Sequence, residues 1–482
     1  MSARARAVMV CGTTSGAGKS FLATALARWY SRQGFKVAPF KAQNMSNNAR
    51  VVADGEIGSA QYFQALAARA IPHVRMNPVL LKPETATRSQ VILLGQRHDE
   101  LSCTEWHTRA QRLWPTIRGC LDELMAEHDV VVIEGAGSPA EINLSATDVV
   151  NMRVAEAAAA ATLLISDIDR GGAFAHLYGT YQLLSAAHRS LIRGFVLNKF
   201  RGDLHLLAPG PQMLQALTGI STLAVLPMWR EHGLPEEDGL IDHRPSGAGL
   251  AVAILAYPCI SNLDEFAPLT QASGVSLRWV RDAGSIAGAD LLILPGSKNV
   301  AGDLAWLRQH ELDHAIAAHV AADKPTLAIC GGLQMLGGEI RDPHAVEGRA
   351  HGLGLLPYAT ELRRLKLYRH ATHRLTTAQG FWAPLNGIDY PAYEIRHGET
   401  RSSEQQSQPL RLRPVLAENR GWQSGQTLAI YMHGLFESPQ IMRALFGQET
   451  RTLEDTFDGL ADFIDARFAQ GTLSSLLGAA GA

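Results

Sequence analysis

The sequence predicts an α/β protein of two tandem domains, each a mostly parallel β-sheet flanked by helices. Three observations lead there. Short β-branched runs alternate with longer Ala/Leu-rich segments, the pattern of a parallel sheet covered by helices. The alternation occurs twice, and a polar stretch rich in Gly and Pro separates the two series. A length of 482 residues also exceeds one ordinary core.

In the first series, strands are expected at Ala7–Cys11, Val37–Phe40, Val130–Ile133, Thr162–Ser166, Gly194–Asn198 and Thr222–Leu226. A helix is expected over Ser20–Tyr30, because Phe21, Leu22, Ala25, Leu26 and Trp29 recur at helical spacing. The pattern lapses after Pro227 in WREHGLPEEDGLIDHRPSGAG, which places a domain boundary near residue 245 and gives domains 1–245 and 246–482. The second series predicts strands at Leu250–Ala256, Leu277–Val280, Leu291–Leu294, Thr326–Ile329 and Thr427–Met432. The polar run after Gly398 reads as a surface loop or irregular hairpin.

Composition narrows the function classes. Lys and Arg total 44 against 46 Asp and Glu, a net charge of −2, which argues against nucleic acid as the main partner. Five cysteines without a C-x-x-C pair read as reduced thiols of a cytoplasmic protein. The longest apolar stretch, after Glu156 through Ile165, is too short for a membrane span, so a soluble protein with small-molecule partners is expected.

The first chemistry-bearing segment is Gly12-Thr-Thr-Ser-Gly-Ala-Gly-Lys19-Ser20, between the first strand and the first helix. A Gly-rich turn feeding a helix N-terminus offers free N–H groups and the positive end of the dipole, which together cradle phosphates. Thr13, Gly16 and Gly18 shape this P-loop-like turn. Lys19 is suited to the terminal phosphates of ATP and the Ser20 hydroxyl to Mg²⁺. Thr13 stands where the common pattern has glycine. In this shifted form, GTTSGAGKS resembles the loop of dethiobiotin synthetase and its relatives, which phosphorylate or amidate carboxylates. That resemblance implies that Lys41 also faces phosphate, that Glu134 and Asp54 help hold Mg²⁺, with Glu56 the alternative to Asp54, and that Asn198 reads the adenine edge.

The second segment is Cys330-Gly-Gly-Leu-Gln334-Met-Leu-Gly, after an expected strand. A thiol on a tight strand-to-helix turn is exposed, and the helix N-terminus beneath it favours the thiolate. Ile430-Tyr-Met-His433 delivers a histidine at a strand end, making a candidate nucleophile–base pair. The turn at Gly296 is suited to donating a backbone N–H to an oxyanion. C-G-G-L-Q-M-L-G resembles the nucleophile elbow of class I glutamine amidotransferases. By that resemblance Gln334 seats the substrate glutamine, and Gly296 and Gly331 supply the oxyanion hole. Leu435 stands where most of those enzymes carry the glutamate that completes a triad, and Glu437 or Glu394 is a possible orienter of the base.

Taken together, a P-loop-like domain and a glutaminase-like domain imply ATP-driven amidation of a carboxylate. The segments KAQNMSNN (41–48), EIGSAQ (56–61), NPVLLKP (77–83), EGAGSPAEIN (134–143) and DIDRGG (167–172) resemble the cobyric acid synthase family. This resemblance covers nearly the whole chain. It implies amidation of four peripheral carboxylates of adenosylcobyrinic acid a,c-diamide, using ATP, Mg²⁺ and glutamine. Gln43, Asn44, Asn47, Asp169 and Arg170 are candidate contacts to that corrinoid. Two alternatives are a cobyrinate a,c-diamide synthase and a P-loop regulatory or partitioning ATPase without amidation activity.

Overall fold

Residues 4–85, 88–235, 249–402, 412–447 and 451–478 are described by the computed structural model. Six parallel strands build the first sheet, in the spatial order Thr222–Pro227, Ile192–Phe200, Ala161–Asp167, Arg6–Gly12, Val130–Glu134 and Val37–Phe40. Arg6–Gly12 lies inside the sheet with both faces covered, so its residues after Arg6 form a buried, nearly unbroken apolar run. Because the strands are parallel, their C-terminal ends share one edge. Val10 pairs with Leu163 on one side and Glu134 on the other. The turn after Gly12 therefore emerges beside Glu134, where a parallel sheet presents its ligand-binding loops.

Helix Lys19–Arg32 lays Leu22, Ala25 and Leu26 on this sheet. Its remaining side is covered by a helix from the far end of the chain, Leu453–Asp465. The buried Arg28 guanidinium bonds Asp458 at 2.8 Å and Glu454 at 2.5 Å, and the Tyr30 hydroxyl donates to the Leu473 carbonyl at 2.8 Å. Phe457, Leu460, Ile464, Leu473 and Leu476 join the first domain's core. The expected assignment of 246–482 to one domain therefore does not hold for residues 453–478. The boundary expected near residue 245 lies outside the described residues.

In the second sheet, five parallel strands run in the order Val275–Val280, Leu250–Leu255, Leu291–Leu294, Thr326–Ile329 and Thr427–Ile430. Two antiparallel strands, Gly421–Ser424 and Arg413–Leu416, extend its edge. Two insertions lay outside the sequence expectation. After Phe40 the chain forms an antiparallel hairpin, Ala49–Val52 with Gly55–Gly58, and a small sheet that includes Gln43–Met45 and Val79–Thr85. After Arg341 a long hairpin pairs Tyr358–Arg374 with Asp389–Ser402. The segment after Gly398 thus continues as strand to Ser402, and residues 403–411 lie outside the described residues. The two insertions meet: Ile395 packs on Ala49, Leu80 and Ile92. None of the helices among the described residues is long and apolar enough to cross a membrane.

Candidate active site

Gly16 and Gly18 both adopt positive φ, at 71° and 102°, which lets the loop after Gly12 curl over the helix N-terminus. A Cβ on Gly18 would collide with Asn198 Nδ2. Asn198 braces the loop by donating from Nδ2 to the Ala17 carbonyl at 2.9 Å. Thr13 Oγ1 donates to Ser166 Oγ at 2.9 Å and ties the loop to the neighbouring strand. Lys19 Nζ bonds the Thr14 and Gly137 carbonyls at 3.1 and 3.3 Å, which places it over the loop.

Glu134 is the hub beside that loop. Ser20 Oγ donates to its Oε1 at 2.9 Å and Lys41 Nζ does so at 2.8 Å, while Gln64 bonds its other oxygen. Burial works to raise this carboxyl, but Lys41, with help from Gln64 and Lys19, holds it below the usual carboxylate range. A hydroxyl and an ionised carboxylate in contact beside a phosphate loop fit Mg²⁺, which takes few protein oxygens and completes its shell with phosphate and water. Among the described residues, no group of three acidic, His or Cys side chains forms a closed metal cage.

Asp54 is not part of this cluster. It sits exposed at the tip of the hairpin, paired with His73 Nε2 at 3.3 Å. Of the candidate corrinoid contacts, Gln43 and Asn44 lie buried in the strand that follows Lys41. Asp169 is paired with Arg201, and the exposed Arg170 lies 3.5 Å from Asp167 at the sheet edge.

Cys330 occupies a strained turn with φ 48° and ψ −100°, a conformation that costs a non-glycine residue on the order of 1–3 kcal/mol. The backbone is forced there because the strand and helix meet without space. A Cβ on Gly332 would collide with the Leu294 carbonyl, and one on Gly331 would lie 2.6 Å from Ser297 N. A Cβ on Gly296 would come within 2.8 Å of His433 Cε1, so that glycine faces the base. Gln334 lines the same cavity as Cys330 and His433.

His433 is held on three sides. Its Nδ1 meets Glu265 Oε1 at 2.8 Å, and the second Glu265 oxygen accepts from Gly434 N at 3.0 Å. Its ring stacks on Tyr393 at 5.3 Å, and its backbone exchanges hydrogen bonds with Tyr393. Burial lowers the imidazole pKa, but the Glu265 carboxylate and the hydrogen-bonded Cys330 sulfur raise it to about 10. Glu265 is thus the orienter that the sequence reading missed. Glu437 instead pairs with Arg50 at 2.6 Å, and Glu394 pairs with Arg396 at 2.8 Å. In sequence Glu265 precedes His433 by 168 residues and lies in a short 3-10 turn, with no spacing rule to expose it.

The two sites are joined through one stretch of chain. Lys41 reaches Glu134; a few residues later Asn48 Oδ1 accepts from Leu263 N at 2.9 Å and Ala49 N donates to Asn262 at 3.1 Å. Arg50, fully buried, bonds Asp264 at 2.8 Å and lies 4.8 Å over the Tyr393 ring. Asn47, another of the candidate corrinoid contacts, lines the cavity of Cys330 and His433.

Two family models match the chain. Residues 8–236 match the CobQ/CobB/MinD/ParA nucleotide binding domain, and residues 251–441 match the CobB/CobQ-like glutamine amidotransferase domain. The chain is 61% identical to a cobyric acid synthase from Methylibium petroleiphilum, over 98% of this chain and 97% of that one. It is 60% identical to one from Variovorax paradoxus (98% and 99% covered) and 58% identical to one from Polaromonas naphthalenivorans (98% and 99%).

Proposed function

The chain belongs to the cobyric acid synthase family, whose members are glutamine-dependent amide ligases, and we propose that it amidates the peripheral carboxylates of adenosylcobyrinic acid a,c-diamide to give cobyric acid. One observation carries the reading: a phosphate loop with Ser20 and Glu134 and a Cys330–His433–Glu265 set stand in one chain, linked by residues 41–50.

At the thiol site, the Cys330 thiolate attacks the amide carbon of glutamine, and the oxyanion forms between the Gly331 and Gly296 backbones. His433, protonated and held by Glu265, gives its proton to the departing nitrogen, and ammonia leaves. Water then attacks the thioester, His433 takes up a proton, and glutamate is released. At the phosphate loop, Lys19 and Lys41 hold the terminal phosphates of ATP. A substrate carboxylate attacks the γ-phosphorus and ADP departs. Ammonia then attacks the acyl phosphate, inorganic phosphate leaves, and the amide nitrogen loses its extra proton. Ser20 and Glu134 would hold Mg²⁺, which would supply charge neutralisation for the phosphoryl group.

The test is mass spectrometry of adenosylcobyrinic acid a,c-diamide incubated with the protein, ATP, Mg²⁺ and glutamine. Successive amide products are expected. An unchanged corrinoid alongside glutamate release would move the search to another carboxylate. In Cys330→Ala, amidation with glutamine should vanish while amidation with high ammonium salt persists, and loss of both would defeat the two-site division.

A further inference from the structure

Two residues of the nucleotide-binding domain, Asn47 and Lys82, line the cavity that holds Cys330 and His433. The cavity's polar lining has specific vacancies. Asn47 Oδ1, Gln334 Oε1 and His397 Nε2 are buried atoms without a hydrogen-bond partner among the described residues. His397 Nδ1 faces the Arg363 carbonyl at 2.9 Å, which can only accept, so Nδ1 carries the proton and Nε2 is a bare acceptor. Burial lowers the His397 pKa to about 4, which keeps the ring neutral. Three orphaned acceptors face one cavity, and a buried acceptor without a partner is costly until a ligand satisfies it.

The charges are also unbalanced. Lys298 has Glu347 as its partner, and Arg396 has Glu394. Lys82 and Lys366, one from each domain, share the single carboxylate of Glu56. Burial raises the Glu56 carboxyl, but the two lysines bring it down to about 2, so it is ionised. Burial and the neighbouring Lys366 lower Lys82 to about 7 even with Glu56 beside it, so two lysines on one carboxylate leave room for a second anion that would hold the Lys82 proton.

Resting on the glutaminase reading above, we propose that the glutamine site is composite. The three orphaned acceptors, Asn47 among them, take the three N–H groups of the substrate's α-ammonium, and the Lys82–Lys366 pair takes its α-carboxylate. The nucleotide-binding domain thereby supplies specificity-determining contacts to the site that liberates ammonia, and the thiol site is incomplete without it.

The experiment is steady-state glutamate release by the full chain and by Asn47→Ala, Lys82→Met and Lys366→Met, with a cooperative thermal unfolding transition as the check on folding. Each variant should lose about tenfold or more in kcat/KM for L-glutamine, carried by KM, since each loses a charge-assisted contact. Inhibition by two truncated ligands separates the contacts. Lys82→Met should weaken glutaramate, which lacks the ammonium, and spare 4-aminobutanamide, which lacks the carboxylate. Asn47→Ala should do the reverse. Should Lys82→Met not fold, Lys366→Met carries the same arm from the other domain. An unchanged KM in both arms, or an equal loss for both ligands, overturns the composite site. A wild-type chain that releases no glutamate would instead overturn the glutaminase reading beneath it.

Discussion

Replacing Glu265 with glutamine keeps the size of the side chain and removes its charge. Glu265 is the leading influence that raises His433 from 6.5 to about 10, against the opposing pull of burial. A rise of that size corresponds to on the order of 5 kcal/mol in favour of the imidazolium. The Cys330 sulfur contributes the rest, so losing the carboxylate should cost about 3 kcal/mol, or roughly a hundredfold in kcat for glutamate release. The pH profile distinguishes this from a general loss of structure. In the wild type, activity that needs protonated His433 should persist until pH approaches about 10. In Glu265→Gln, the basic limb should fall by about two pH units or more. Ammonium-driven amidation should remain, because the phosphate loop is untouched. A variant with near-wild-type kcat and an unmoved basic limb would refute the assignment of Glu265 as the positioning residue for the base.

The same pair leaves a signature in stability. His433 binds its proton more tightly folded than unfolded, so this contribution is complete below pH 6.5 and fades as pH rises through about 10; wild-type and Glu265→Gln denaturation midpoints should converge at high pH. Glu134→Gln should abolish amidation with either nitrogen source by about a hundredfold or more while glutamate release continues, read by parallel product assays. Gly18→Ala should eliminate nucleotide binding in calorimetry, because φ 102° and the collision with Asn198 both oppose a side chain there. Arg50→Met should destabilise the protein by about 3 kcal/mol in chemical denaturation, because it strands the buried Asp264 carboxylate and unpairs the partly exposed Glu437. Burial already raises the Asp264 carboxyl despite Arg50, so without the guanidinium that loss should deepen with rising pH.

What could be read from sequence follows from the range of the interactions. The strands of both parallel sheets, the phosphate loop and the Cys330 elbow are local: a buried apolar run, a glycine turn and a helix start lie within a few residues of each other. Each of them announces itself in order along the chain. The antiparallel hairpin from Tyr358 to Ser402 was harder to see, because it is half exposed and carries charges such as Arg363, Arg364 and Arg369 on its accessible face. The C-terminal helix Leu453–Asp465 was not among the expected elements, and nothing local says which sheet it covers. Its acidic residues Glu454, Asp458 and Asp462 find Arg28 and Arg32 more than 400 positions earlier. Glu265 and Arg50 were invisible for the same reason, since their roles exist only through partners on other elements.

The short turn Leu263–Phe266 shows how one local element can serve both domains. Adjacent residues of a 3-10 turn point in different directions, so Asp264 and Glu265 cannot share a partner. Asp264 faces Arg50 of the nucleotide-binding domain, and Glu265 faces His433 of the thiol site. Arg50 also lies on Tyr393, whose other contact is the stacked His433 ring. A displacement of Arg50 thus reaches the base by two routes, through the turn that carries Glu265 and through the aromatic ring beneath it. Nine residues before Arg50, Lys41 bonds the carboxylate that also holds Ser20. An enzyme that makes ammonia at one site for use at another gains from keeping the two geometries interdependent. The Lys41–Arg50 segment gives that interdependence a covalent path, and Arg50→Met, assayed for glutamate release beside Glu265→Gln, measures how much of the base's positioning travels along it.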